Sequence, residues 1–525
     1  MVRVYPFLTC TLREVRLRIA KMIILNLGFL SFFFFLFSSM TQAQDFFKPA
    51  PIFDRYDLNL KGRLRNLTLE DVMTGDGQEI VTLEREGSYP DWKIRLSVWR
   101  ATAVKGKPQI FAQLELPWDV LFYGFLPTGQ SNTQSLLLLR PNEVELWNPA
   151  GNGWERNPKN ILALESAFSL AQKGQAEPFP ISLLNSATPS EPSFLIPIRD
   201  KMLLVQSTSK GLISRKQVSI SPQAFYKSSS ENQPLELPFW MRSSLWYPTA
   251  VPGSLKGIKP LDLLFFPWMD EVSILLWPGN EPAHTHYFKK LSDAERDDAQ
   301  SHVVTSVVDL NGDGRTDFVL NKFQGEATNL RAETTLYMTD TNGTIPQNGI
   351  QLKPPGNRAA GALPIDLNRD GKKDLVVASS QFNVWAVVRA LVKRQVQVNF
   401  SFFMFHSDGY HLEKSDFERE ISFRFDLNDL AIEGVLPSLD GDFNGDGYPD
   451  ALYARDRRGL TVLIQKPDSK EPFSEVPSGQ YDVSAPRFLR IGDLNGDRLS
   501  DVILYEKRST GNRKVSVLIN SGNLK

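Results

Sequence analysis

Cysteine is almost missing from this chain of 525 residues. The only one is Cys10, which excludes an intrachain disulfide framework, a zinc finger and a Cys-x-x-Cys redox pair. Five histidines leave little material for a histidine-rich metal centre. An excess of either charge is also lacking, with 59 Lys and Arg against 60 Asp and Glu, so no basic surplus argues for a nucleic-acid partner. No phosphate loop, Gly-x-Ser-x-Gly elbow or His-Glu-x-x-His helix is present. What remains, 42% hydrophobic and 23% charged, is the composition of a folded globular protein, and the length suits about three domains or one long repeat array.

One apolar run stands out, at residues 22–37. Arg13, Arg16, Arg18 and Lys21 precede it, and small residues at Thr41 and Ala43 follow, so residues 1–43 read as a signal peptide cleaved after Ala43. The run has 16 residues against the roughly 20 that span a bilayer, so an uncleaved anchor is the weaker reading. Cleavage would remove five of the 59 basic residues and one of the 60 acidic ones, leaving a mature charge of −5 and no cysteine. A secreted, periplasmic or cell-surface protein is expected, with no membrane span in the mature chain.

Four copies of one acidic nonapeptide lie in the C-terminal half, each running into an apolar stretch. The first offers Asp309, Asn311, Asp313 and Asp317 as side-chain ligands and the carbonyl of Arg315. The second offers Asp366, Asn368, Asp370 and Asp374 with the carbonyl of Lys372. The third offers Asp442, Asn444, Asp446 and Asp450 with that of Tyr448, and the fourth Asp493, Asn495, Asp497 and Asp501 with that of Leu499. Oxygens at positions 1, 3, 5, 7 and 9 suit a hard cation that takes six to eight oxygens at about 2.3–2.6 Å, so up to four Ca²⁺ ions are expected. Glycine at position 6 supplies the positive φ of such a turn. The fourth loop carries Arg498 there, and the second adds Arg369, Lys372 and Lys373, so these two are expected to bind more weakly. An EF-hand is excluded, since there is no Glu at position 12 and the flanks read as strands.

These loops resemble the FG-GAP or VCBS repeats of extracellular β-propellers, integrin α-chains among them. The resemblance covers residues from about 300 to 525. It implies that each acidic loop joins the first and second strands of a four-stranded blade, and that the protein is adhesive, a receptor head or a propeller-shaped polysaccharide lyase.

The loops begin at 309, 366, 442 and 493, spacings of 57, 76 and 51 residues, which are blade-sized. Dividing the mature length by their mean gives nearly eight units, with anchors near residues 79, 135, 201, 262, 317, 374, 450 and 501. The expected fold is all-β: one propeller of seven or eight blades, eight favoured, with degenerate blades over 44–300 and the calcium-binding blades over 301–525. The third anchor is the doubtful one, between Pro/Ser/Glu-rich connections. The last unit stops two strands short, so residues 51–60 are expected to close the ring. The stretches 321–331 and 379–395 read as enlarged connections between strands two and three, the second with a short helix near 382–394 whose polar side carries Arg389, Lys393 and Arg394.

His284 and His286 share one face of a strand, read here as an exposed outer strand, while His302, His406 and His411 are scattered. The tryptophans read as packing between blades before they read as a sugar-stacking surface. A monomeric interaction or adhesion module that binds a protein or polysaccharide is the leading expectation. The alternative is a polysaccharide lyase or other carbohydrate-active enzyme, disfavoured because no catalytic constellation is recognisable.

Overall fold

The apolar runs without alternation become the second strands of eight blades: Glu79–Glu86, Ser135–Leu139, Lys201–Thr208, Asp262–Phe266, Asp317–Gln324, Asp374–Ser380, Asp450–Asp456 and Asp501–Tyr505. Each begins at or beside one of the eight anchors. In this computed structural model the described residues are 53–522 apart from internal stretches, the longest of them 165–177, 185–192, 229–240 and 381–388. The expected leader, 1–43, lies outside them.

Alternation is absent from these strands because both faces are covered. In blade five, Phe318 and Leu320 enter the seam with blade four, whereas Val319 enters the seam with blade six. Leu136 and Leu138 of blade two meet Val81 and Leu83 of blade one, while Leu137 and Leu139 turn to Leu203 and Val205 of blade three. Eight such seams account for the hydrophobic clusters of the described residues. The eighth joins Ile503 and Val517 of the last blade to Leu67 and Ile80 of the first, and so closes the ring. Each fully buried Leu, Val or Phe contributes about 1.5–3 kcal/mol, so the seams are the core. Trp99, Trp147 and Trp154 lie in them, as expected of packing residues.

Closure is also written into the last blade. Its strands Phe488–Gly492, Asp501–Tyr505 and Lys514–Asn520 come from the C-terminal end, and its fourth is the N-terminal strand Phe53–Asn59. That strand runs antiparallel to Lys514–Asn520, from Phe53 opposite Asn520 to Asn59 opposite Lys514. Phe53 packs edge-on against Tyr481 and Phe443, with ring centroids 4.9 and 6.0 Å away.

The count between seven and eight blades resolves at eight. Blade three keeps Ser193–Ile198, Lys201–Thr208 and Gly211–Val218 in order; the two-residue strand Leu183–Leu184 adds to its first edge. Gln223–Ser228 and Met241–Trp246 pair as a separate hairpin. The 321–331 stretch is not an enlarged connection, because the ladder of blade five continues to the Gln324–Arg331 pair and leaves only 325–330 outside the strands. In the blade-six insertion Arg389, Ala390, Val392 and Lys393 are helical. Residues 382–388 and 391 of the expected helix fall outside the described residues, and it ends before Arg394, at φ 52°. Among the described residues no helix is long and apolar enough to cross a membrane.

Candidate metal-binding loops

All four acidic nonapeptides join strand one to strand two of their blades, which places them on one face of the propeller. Their internal bonding repeats almost atom for atom. The position-1 carboxylate accepts the position-6 amide through Oδ2, at 2.8 Å for Gly314 on Asp309, 3.2 Å for Gly371 on Asp366, 2.7 Å for Gly447 on Asp442 and 2.8 Å for Arg498 on Asp493. The position-3 Asn Oδ1 accepts the position-5 amide, and the position-5 Asp Oδ1 accepts the position-7 amide of Arg315, Lys372, Tyr448 or Leu499. These are Asx turns in series, the reason for Asp and Asn at alternate positions.

Two residues in each loop have positive φ. Position 4 is Gly312, Gly445 or Gly496, and in the second loop Arg369 at φ 59°. Position 6 is Gly314, Gly371 or Gly447, and in the fourth loop Arg498 at φ 69°. Both arginines therefore take the glycine conformation, at a cost of about 1–2 kcal/mol each. Arg498 still donates to Asp493, so the fourth loop keeps the shape of the others.

Position 9 has a different setting. Asp317, Asp374, Asp450 and Asp501 are fully buried. In each, Oδ2 accepts the position-2 amide of Leu310, Leu367, Phe443 or Leu494, at 2.9, 2.9, 2.7 and 2.8 Å. Oδ1 accepts an amide at or just beyond the end of strand three, from Thr339, Phe405, Gln465 or Asn520, at 2.8, 2.9, 2.9 and 2.7 Å. This carboxylate ties loop, second strand and third strand together. Burial raises its pKa, to about 6 for Asp317 and Asp374 and about 7 for Asp450 and Asp501, despite the two amides; the carboxylates at positions 5 and 1 push the same way.

The position-2 side chains fix the loops to the core. Leu310, Leu367, Phe443 and Leu494 are at most 2% exposed, and each enters the seam with the following blade. The shortened loop of blade one repeats this with Val72, and Glu79 accepts the amides of Val72 and Met73 at 3.0 and 3.1 Å.

A chain of hydrogen bonds between blades links the loops. The position-8 amide of one blade donates to a position-1 or position-2 carbonyl of the blade before it: Thr316 to Ser254 at 2.8 Å, Lys373 to Leu310 at 2.8 Å, Ser500 to Asp442 at 2.7 Å and Gln78 to Asp493 at 2.7 Å. Blade seven has Pro449 at position 8, which has no amide hydrogen. There the contact is left to the buried side chain of Gln465, whose Nε2 donates to the Leu367 carbonyl at 2.7 Å; Asn520 Nδ2 makes the equivalent bond to the Phe443 carbonyl at 2.9 Å in blade eight, beside the Ser500 amide. Arg369, read from sequence as weakening its own loop, reaches the neighbouring loop, with Nη1 3.2 Å from the Asp446 carbonyl. Arg315 forms an ion pair with Asp313.

The donor set is oxygen only, the chemistry of a hard cation and not of zinc or copper. An oxygen that accepts one amide keeps a further lone pair. In the second loop Asp366 Oδ1 is buried with no partner, an acceptor left open where the other three loops donate a glycine amide at position 4. The residues present therefore fit calcium. Among the described residues, those of the four loops included, no three His, Cys, Asp or Glu side chains are gathered as a metal centre.

Two histidine readings change. His406 and His411 are not scattered: a short hairpin stacks their rings 4.6 Å apart, with His406 Nε2 2.9 Å from Asp416 and His411 Nε2 3.1 Å from Asp408. His286 is buried, not exposed, with its ring 4.8 Å from that of Phe288 and its pKa lowered by burial.

The family model for the FG-GAP-like repeat matches residues 309–377 and 442–504, two stretches that contain all four loops. No curated protein matches the chain. Among solved structures, an Agrocybe aegerita lectin specific for non-reducing terminal N-acetylglucosamine is similar at 11% identity and a TM-score of 0.33, covering 69% of this chain and 80% of that one. The V. cholerae biofilm matrix protein Bap1 is similar at 10% identity and a TM-score of 0.30, covering 88% of both chains.

Proposed function

For a β-propeller that carries FG-GAP-like repeats, we propose a calcium-stabilised interaction module that works outside the cell and binds a macromolecule without performing chemistry on it. One observation carries the calcium reading: four loops of nearly the same internal bonding, each with three carboxylates and an Asn side chain, sit beside one another in a chain of hydrogen bonds between blades. A divalent ion in each would offset the repulsion among those carboxylates. It would bind the folded chain alone, since the unfolded chain has no such loops, and would raise stability by mass action. In the first loop Asp309, Asn311, Asp313, Asp317 and the Arg315 carbonyl would supply oxygens, and the two amide bonds of Asp317 would hold the loop closed around the ion. Secretion follows from the leader-like residues 1–43.

Calorimetry of the full chain in millimolar calcium and in excess chelator tests this reading. A higher transition temperature in calcium supports it, and identical transitions would refute it. Calcium titration by heat should give up to four sites.

A further inference from the structure

On the face opposite the acidic loops, an open cleft of ≈ 400 Å³ lies between blades six and seven. Lys393 and Arg394 line it from the end of the blade-six insertion, Arg424 from the strand Phe417–Asp426, and Arg455 from the second strand of blade seven. Asp456 is the one acidic residue in the lining, and its Oδ1 already accepts the Arg458 amide at 2.8 Å. Arg424 pairs with Glu433 at 3.1 Å. Among the described residues Lys393 and Arg394 have no carboxylate partner. The cleft thus gathers unmatched positive charge on a chain whose overall balance is slightly acidic.

Arg394 sits where the backbone favours glycine. Its φ is 52°, and its carbonyl accepts the Phe425 amide at 2.8 Å, which pins the turn from the helical residues into the strand Gln395–Phe403. A strained residue with a long cationic side chain at the lip of a cleft points to a use for the guanidinium. Arg455 is held in place too, 3.4 Å from the Tyr453 hydroxyl and with its guanidinium 5.8 Å from the ring centre.

We propose that this cleft binds the carboxylate or sulfate groups of an acidic polysaccharide. Guanidinium forks match such oxyanions in bidentate fashion. One small ion in so open a cleft engages few of the cations and is weakly held, whereas repeated anions on one chain engage several at once through effective concentration. The choice of a polysaccharide rests on the extracellular reading above; the charge of the cleft does not.

The full-length protein, immobilised, is titrated with polygalacturonate, dextran sulfate, neutral dextran and a DNA duplex, first as wild type and then with Lys393→Gln and Arg394→Gly combined. Glycine suits the Arg394 backbone, so the double variant keeps its turn. Tight, salt-sensitive binding of polygalacturonate or dextran sulfate, weakened tenfold or more in the variant, supports the proposal, and the better of the two identifies the anion. Equal binding of neutral dextran, preference for DNA, or unchanged affinity in the variant overturns it. Arg455→Gln, on another blade, repeats the test independently of the helix end. The calcium-dependent rise in melting temperature, measured on the same proteins, should not change; its absence from the wild type would refute the calcium reading and leave the cleft standing.

Discussion

The amide of Gln78 in the first blade donates to the carbonyl of Asp493 in the last at 2.7 Å. The chain of loop contacts therefore crosses the seam at which the two ends of the polypeptide meet. At that seam the ring depends on the N-terminal strand, and Phe53, 7% exposed, is its aromatic anchor. Phe53→Ala should cost about 3–5 kcal/mol, the usual range for a buried Phe, read as a lower urea midpoint. An unchanged midpoint would mean that the strand contributes little to closure.

Calcium should act site by site. Asp313→Ala and Asp446→Ala should each remove one site from a calcium titration and lower the calcium-dependent rise in melting temperature. Asp497→Ala should do least, because the Arg498 cation within its loop already opposes a divalent ion, although the backbone keeps the shape of the other loops. Equal losses from all three would make the loops equivalent.

Relieving that strain gives a second expectation. Arg498→Gly removes a left-handed penalty of about 1–2 kcal/mol and adds back about 0.5–1 kcal/mol of chain entropy, for a net gain of up to about 1.5 kcal/mol. The backbone amide that bonds Asp493 is kept. Denaturant unfolding in chelator measures it, and a destabilised variant would show that the Arg498 side chain has contacts of its own.

Blade seven offers a compensation experiment. Gln465→Ala leaves the buried Leu367 carbonyl without its donor and should cost about 1–3 kcal/mol. Pro449→Ala restores the backbone amide that the other blades use at position 8, so in the Gln465→Ala background it should recover part of the loss. Strict additivity of the two changes would refute the substitution of one donor for another.

The pH dependence is read at Glu79, whose pKa burial raises against the pull of the Met73 and Val72 amides. A carboxyl with a raised folded pKa stabilises most below its unfolded value, here 4.5, and loses that contribution as pH rises through the folded value. Glu79→Gln does not titrate. Its stability relative to wild type should therefore improve from pH 4.5 to pH 8, and a difference that stays flat across that range would contradict the assignment.

The eight blades were legible because each second strand is an apolar run opened by a turn-forming loop, as at Asp317 and Phe318 or Ser135 and Leu136. The closing strand was legible by counting, since the last unit stopped two strands short. The bonds between loops were not, because the amides of Thr316, Lys373 and Ser500 leave no mark in the identity of those residues. Pro449 and Gln465 did leave one, but it can be read only once the pattern it replaces is known. Position 4 was missed as a second left-handed site because Arg369 interrupts the glycines there. The His406–His411 stack depends on the hairpin between Phe405 and Tyr410, whose two-residue strands are too short for a periodic signal. The insertion showed its cations from sequence, but Arg424 joins them only through the pairing of Phe417–Asp426 with Gln395–Phe403, and Arg455 only through the packing of blade seven on blade six.

Because Phe53–Asn59 completes the last blade, the first described strand to leave the ribosome is the last to find its partner. Nearly the whole chain must be made while that strand keeps its backbone donors and acceptors free, the condition in which exposed strands recruit one another. Its charged residues Asp54, Arg55 and Asp57 suit such a wait, since charges along an unpaired edge oppose stray pairing, and Arg55 and Asp57 both find Ser516 when the partner strand arrives. Folding of this protein should therefore be late and all at once, and a chain truncated before Lys514 should leave the ribosome with an open, adhesive edge.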